Sequence, residues 1–280
     1  MTPVHVDEVI RAVRDLPSLP IVVLELLEKM EHADASSADL ANKISQDQAL
    51  AAKILRLANS SFYGMSSLVT TVPQAISILG FGTVRALVTA ASLSGAFVLD
   101  PQSPFNFSRF WKHAIATAIC AKHLAPSHRI APDIAFIAGL LHDIGQCVLA
   151  TRFPQAYANV IDQCRHNDCT VVDAEQAVFQ TDHAAVGAAL ADHWRFPLTM
   201  QHAVAWHHDD AQAGSDKLAA TVYVANAIAH ALDLTSDPME SVPPIAESVW
   251  VVVGLDATSL AQILPRIEAE YAAIGPILAM

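Results

Sequence analysis

The segment "PDIAFIAGLLHDIGQCVLA", residues 132–150, decides how the chain is read. It shows no strand-like alternation and reads as buried helix over 132–150. Inside it His142 and Asp143 stand side by side just before Gly145. A polar pair in an apolar run is costly unless something satisfies it. Neighbouring helical residues diverge by about 100°, so both border one pocket if the end of the helix lines it.

The surrounding sequence is helical by the same reading. "SSADLANKISQ" (36–46) opens on a Ser at an N-cap position, with Leu40 and Ile44 one turn apart. "DQALAAKILRLANSS" (47–61) repeats the pattern, and "VPQAISILG" (72–80) opens with Pro and closes with Gly. "TVRALVTAASLSGAFVL" (83–99) is apolar nearly all round and predicts a buried helix. Further helices are expected at about 109–125, 153–167, 171–180, 183–195, 198–208 and 216–234. "VWVVVG" (249–254) fits a short strand or a helical turn. The fold class is all-α. Breaks at "DPQSPFNFS" (100–108) and "TSDPMESVPP" (235–244) divide the chain into an N-terminal helical subdomain (1–98), a helical bundle (99–235) and a C-terminal helical extension (236–280). In "NSSFYG" (59–64), Phe62 and Tyr63 either form an exposed loop or plug the junction between the subdomains.

Composition sets the limits. Of 280 residues 53% are hydrophobic and 16% charged, enough for a large core and contrary to disorder. The net charge of -12 argues against nucleic acid and anionic membranes as partners. The N-terminus has acids and no long apolar stretch, which argues for a cytoplasmic protein. Cys120, Cys147, Cys164 and Cys169 form no CxxC pair and read as reduced thiols.

The chain carries 13 histidines. His113 shares a helical face with Ala116, Thr117, Cys120 and Leu124 and points inward. His183, Gly187, Leu190 and Trp194 recur at helical spacing, and Gly187 would let another backbone come close. His207 and His208 end "MQHAVAWHHDD". With His142 and Asp143 these residues are expected to share a pocket, and imidazole nitrogen and carboxylate oxygen are standard ligands for Zn, Mn and Fe. His5, His32, His123, His128, His166, His193 and His230 read as surface histidines or as satisfied core ones.

The order His113, "LLHDIGQ", "DHAAVGAAL", "AWHHD" resembles the HD superfamily of metal-dependent phosphohydrolases, nearest to the HD-GYP phosphodiesterases of cyclic di-GMP. The N-terminal blocks "LPSLPIVVLELLEKM", "ISQDQALAAKILRLANSSFYG" and "VTTVPQAISILGFGTVRALV" narrow this to the HDOD domain. That resemblance runs from about Leu16 to beyond His208. It implies an all-helical bacterial signalling module, regulatory or adaptor in role. It also implies a metal set of His113, His142, Asp143, His183 and His207 or His208. Three departures matter. Gln146 stands where a Lys is expected, "HHDDAQAGSD" lacks the GYP stretch, and Asn226 replaces the final Asp ligand.

Two functions follow. One is a non-catalytic signalling module with a protein partner, its pocket holding either no cofactor or a divalent Fe, Mn or Zn ion. The other is a metal-dependent phosphohydrolase acting on a nucleotide or cyclic dinucleotide. A nucleotide could also be sensed without being cleaved. Arg109, Lys112, Arg152 and Lys217 are the cations nearest the site in sequence, and read as surface charges.

Overall fold

The computed structural model describes residues 4–16, 37–60, 63, 65, 68–94, 97, 103–167, 169–235 and 241–278. All regular structure among the described residues is helical. The helices are α1 (Val6–Arg14), α2 (Ser37–Gln46), α3 (Gln48–Ala58), α4 (Val72–Leu79), α5 (Phe81–Ser94), α6 (Phe107–Leu124), α7 (Pro132–Leu141), α8 (Ile144–Arg152), α9 (Pro154–Asn167) and α10 (Val171–Phe179). They continue as α11 (His183–His193), α12 (Leu198–Ala205), α13 (Asp210–Ala213), α14 (Lys217–Ala231), α15 (Glu247–Val253) and α16 (Ala257–Leu278). The stretch 16–30 that supports the family resemblance lies, apart from Leu16, outside the described residues, as do Ser36 and Phe62.

Local chemistry sets where these helices begin. Asp47 caps α3 through the Leu50 amide at 3.0 Å, and Asn106 caps α6 through the Arg109 amide at 3.0 Å. Thr170 and Asp173 form a reciprocal capping box on α10. Each such cap stabilises its helix by about 1 kcal/mol.

α6 is the axis of the bundle and packs against α7, α14 and α16. α11 crosses α8 and α12, and α1 lies on α11. In the N-terminal part α2, α3 and α4 pack on one another, α5 reaches α7, and α3 touches α16. Arg85 of α5, almost wholly buried, pairs with Asp133 in the first turn of α7. Tyr63 is partly buried against the core and close enough to Glu270 of α16 to feel its charge. The stretch 132–152 is long and apolar enough to cross a membrane, but 83% of its most apolar window is buried within this fold.

The expected single helix 132–150 is two helices. α7 stops at Leu141 and α8 starts at Ile144, with Asp143 at φ -97 and ψ 8 between them. The chain turns where the His–Asp pair must leave the apolar run. The expected helix 198–208 likewise ends at Ala205, so His207 and His208 lie in the following turn. The ambiguous 249–254 is helical, as α15 with Gly254 as its cap at φ 60.

Candidate metal centre

Two glycines bracket the His–Asp turn, and both are needed. A Cβ on Gly139 would lie 2.9 Å from Ala118 Cα and 2.9 Å from the Thr117 carbonyl oxygen, so α7 meets α6 backbone to backbone. A Cβ on Gly145 would lie 2.0 Å from the His183 carbonyl oxygen and 2.7 Å from Gly187 N, so α8 meets α11 more closely still. The first crossing brings His113 to His142. The second brings His183 to Asp143. "GLLHDIG" thus reads as two close contacts with a polar turn between them.

The structure brings the six candidate residues together. Asp143 lies between two groups of imidazoles. Its Oδ1 is 3.1 Å from His183 Nε2 and 3.2 Å from His207 Nε2. Its Oδ2 is 3.4 Å from His142 Nε2 and 3.8 Å from His113 Nε2. His208 Nε2 is 3.1 Å from His183 Nε2, and His113 Nε2 is 3.3 Å from His142 Nε2. The ligand-capable atoms fall into two groups that share Asp143, one with His183, His207 and His208 and the other with His113 and His142. His142, His183 and His207 are buried, while His208 is at the exposed rim.

The outer nitrogens of three rings are occupied. Nδ1 of His142 meets the Gly139 carbonyl at 2.7 Å, and Nδ1 of His207 meets the Val204 carbonyl at 2.7 Å. Nδ1 of His183 meets the Glu175 carboxylate at 2.6 Å. A carbonyl or carboxylate only accepts, so each Nδ1 carries the proton and each neutral ring turns an Nε2 lone pair inward. The result is a buried group of lone pairs facing one another. Asp143 Oδ1 has no N–H aimed at it, and the buried Asn226 side chain lies within reach of His113. Lone pairs facing each other at such distances repel unless a cation lies among them. This donor set, with its outer partners in place, fits a divalent first-row metal held by Asp143 with His183, His207 and His208, or by Asp143 with His113 and His142.

The electrostatics point the same way. Burial pushes the His142 imidazole well below its ordinary value, and Asp143 only partly opposes this. Burial takes His113 down to about 4 and lowers His208, so these rings are neutral and ligand-competent near pH 7. Burial works against the charge of Asp143, but His142 and His183 outweigh it and hold the carboxyl well below its usual range. His183 goes the other way. Glu175 and Asp143 outweigh its burial and raise it well above an ordinary imidazole. A proton on His183 is then the alternative to a metal.

Gln146, on the first turn of α8, lies next to Tyr157. The Tyr157 hydroxyl lies 3.5 Å from Gln146 Oε1 and 3.3 Å from Glu175 Oε1. Lys112, Arg152 and Lys217 are exposed. Sequence reasoning missed three residues. Glu175 is wholly buried and holds both Nδ1 and the backbone N–H of His183. Tyr157 buttresses Glu175. His230, expected to be a surface histidine or a satisfied core one, lies against His113 with ring centroids 4.5 Å apart. The signal for Glu175 was its place one turn before Phe179 on an apolar face, and for His230 its place one turn after Asn226.

An all-helical chain with this His/Asp centre belongs to a class that the comparisons with known proteins define. The HDOD domain matches residues 16–210, and the chain belongs to the HDOD family. Its fold is similar to that of an HDOD domain protein with unknown function from Geobacter sulfurreducens, at 24% identity, TM-score 0.78 and 98% coverage of both chains. It is also similar to a presumed phosphohydrolase of Shewanella amazonensis SB2B, at 26% identity, TM-score 0.74 and coverage of 97% and 96%. An uncharacterised protein of Treponema pallidum (strain Nichols) is 27% identical over 235 residues. That match covers 82% of this chain but 45% of the relative, so the chain spans less than half that protein's length.

Proposed function

We propose that this chain is a bacterial, cytoplasmic signalling module that acts through contact with a protein partner, and that its His/Asp centre holds a divalent metal without efficient hydrolysis. The observation that carries this reading is the mismatch between ligands and substrate groups. The imidazoles and Asp143 are arranged as metal donors. Gln146, where the resemblance expects a cation for phosphate, is neutral and turned toward Tyr157 at 3.5 Å. Asn226, where it expects a carboxylate ligand, is neutral and buried beside His113. A metal here would supply Lewis acidity. The groups replaced are one carboxylate of the metal site and the cation that would meet the phosphate.

Elemental analysis of protein purified without added metal, together with turnover assays on cyclic di-GMP and a generic aryl phosphodiester, tests the reading. Bound Fe, Mn or Zn with negligible turnover is the expected result. Metal-dependent turnover at an enzymatic rate would replace it with the second reading, a phosphohydrolase. That alternative draws support from the complete set of outer partners on His142, His183 and His207, and from the 26% identical Shewanella protein.

A further inference from the structure

Cys164 lies in the last turn of α9, and Cys169 immediately precedes Thr170, the N-cap of α10. Both are half-buried, whereas Cys120 and Cys147 are buried. Cys164 Sγ is 3.8 Å from the carbonyl oxygen of Thr170, the residue after Cys169, and the two side chains are close enough to interact. The pair therefore sits in contact, reachable from solvent, across a junction between two helices.

We propose that Cys164 and Cys169 form a reversible intrachain disulfide that staples the end of α9 to the start of α10 and so sets the position of Glu175. The linkage is physical. Thr170 and Asp173 cap the first turn of α10, with the Asp173 amide 3.1 Å from Thr170 Oγ1. A cross-link at Cys169 acts on that turn directly. Glu175 lies on the next turn and grips His183 at 2.6 Å. Cys164 already feels the Glu175 carboxylate. Burial, then Cys169, then Glu175 push its thiol up to about 11, which makes it a poor leading nucleophile.

The oxidant is a low-molecular-weight disulfide such as oxidised glutathione. The Cys169 thiolate attacks one of its sulfurs, forming a mixed disulfide and releasing one external thiol. Cys164 then attacks the Cys169 sulfur, closing the ring and releasing the second external thiol, which takes the Cys164 proton. Two chain thiols are oxidised and one external disulfide is reduced. A cross-link of this kind in a reducing compartment is transient and reports redox state.

Tryptic cleavage after Arg165 separates the two cysteines, into peptides 153–165 and 166–195. After equilibration in a glutathione buffer of rising oxidation, these two peptides are expected to stay joined, to lose the mass of two hydrogens, and to separate again in dithiothreitol. Amides of residues 171–179 are expected to exchange more slowly with deuterium in the oxidised form. In Cys169→Ser, Cys164 is expected to yield no joined peptides. Mixed glutathione adducts without a link, links between two chains, or no reaction would each overturn the disulfide. A link that leaves exchange in 171–179 unchanged would overturn its coupling to Glu175. Because neither readout involves metal, a protein that binds no metal leaves this test intact.

Discussion

The Glu175 carboxylate holds His183 at two points, 2.6 Å from Nδ1 and 2.8 Å from the backbone nitrogen. It fixes the tautomer, aims Nε2 into the centre, and raises the basicity of the ring. Glu175→Gln keeps the shape and removes the charge. Outer-partner losses of this kind cost about 10–100-fold in metal affinity. Competition with a chelator is expected to show a loss in that range while the fold is retained. Unchanged affinity would take His183 out of the ligand set.

Gly145 makes the closest approach of the described glycines. Its hypothetical Cβ meets backbone at 2.0 Å, which cannot turn aside. At Gly187 the nearest atom is Val204 Cγ1 at 2.8 Å, the end of a side chain that can shift. Gly145→Ala is expected to destabilise by about 3 kcal/mol, the upper part of the overpacking range, and Gly187→Ala by less. Denaturant midpoints give the ranking. Equal effects would mean that α8 and α11 are not held backbone to backbone.

Much of this was legible in the sequence. The inward face of His113 follows from its spacing to Thr117 and Cys120, and the helical reading held along the described chain. The turn between α7 and α8 was not legible, because periodicity sees an unbroken apolar run. The close approaches that force the turn depend on what Gly139 and Gly145 meet from other helices. Gly187 was read as a close-approach site, but its partner could not be named. Glu175, Tyr157 and His230 escaped for the same reason. Each matters only through a residue on another helix, and a one-dimensional pattern does not show that pairing. Asn226 came from resemblance, and the fold places it beside His113.

Glu270 of α16 is almost wholly buried, with its two oxygens 2.7 Å from Lys122 Nζ and 2.7 Å from His123 Nε2. Burial pushes its carboxyl up, but the His123 hydrogen bond and the Lys122 charge outweigh this and leave it lowered. A lowered carboxyl contributes stability above its unfolded value, about 4.3 for Glu, and that contribution fades as pH falls through the folded value. Lys122 and His123 are part-exposed, so the loss in Glu270→Gln is put at about 1–3 kcal/mol at neutral pH. Thermal or denaturant melts of parent and variant should differ at pH 7 and converge under acid. A gap that persists well below pH 4 would mean that the glutamate acts through packing alone.

Hydrolysis of cyclic di-GMP is expected to be negligible for the parent chain. A phosphodiesterase of this type needs a carboxylate to complete its metal site and a cation at the scissile phosphate. Asn226 and Gln146 remove one of each, and losing one such electrostatic contact typically costs on the order of 100-fold or more in rate. Slow turnover with added Mn fits this, while robust turnover by the parent chain does not. The informative variant is Asn226→Asp with Gln146→Lys. The first change sets a carboxylate beside His113, one of the donors. The second places an ammonium on the first turn of α8, where the Tyr157 hydroxyl now links Gln146 to Glu175, 3.5 Å from one and 3.3 Å from the other. Because Glu175 also attracts that ammonium, metal uptake is expected to rise before activity does. Metal gained by the double variant over the parent, measured by elemental analysis, would mark the centre as a hydrolase site that has lost a metal ligand. Where the parent itself holds no metal, no gain would favour a site kept for packing and partner recognition, with the proton on His183 standing where a metal would.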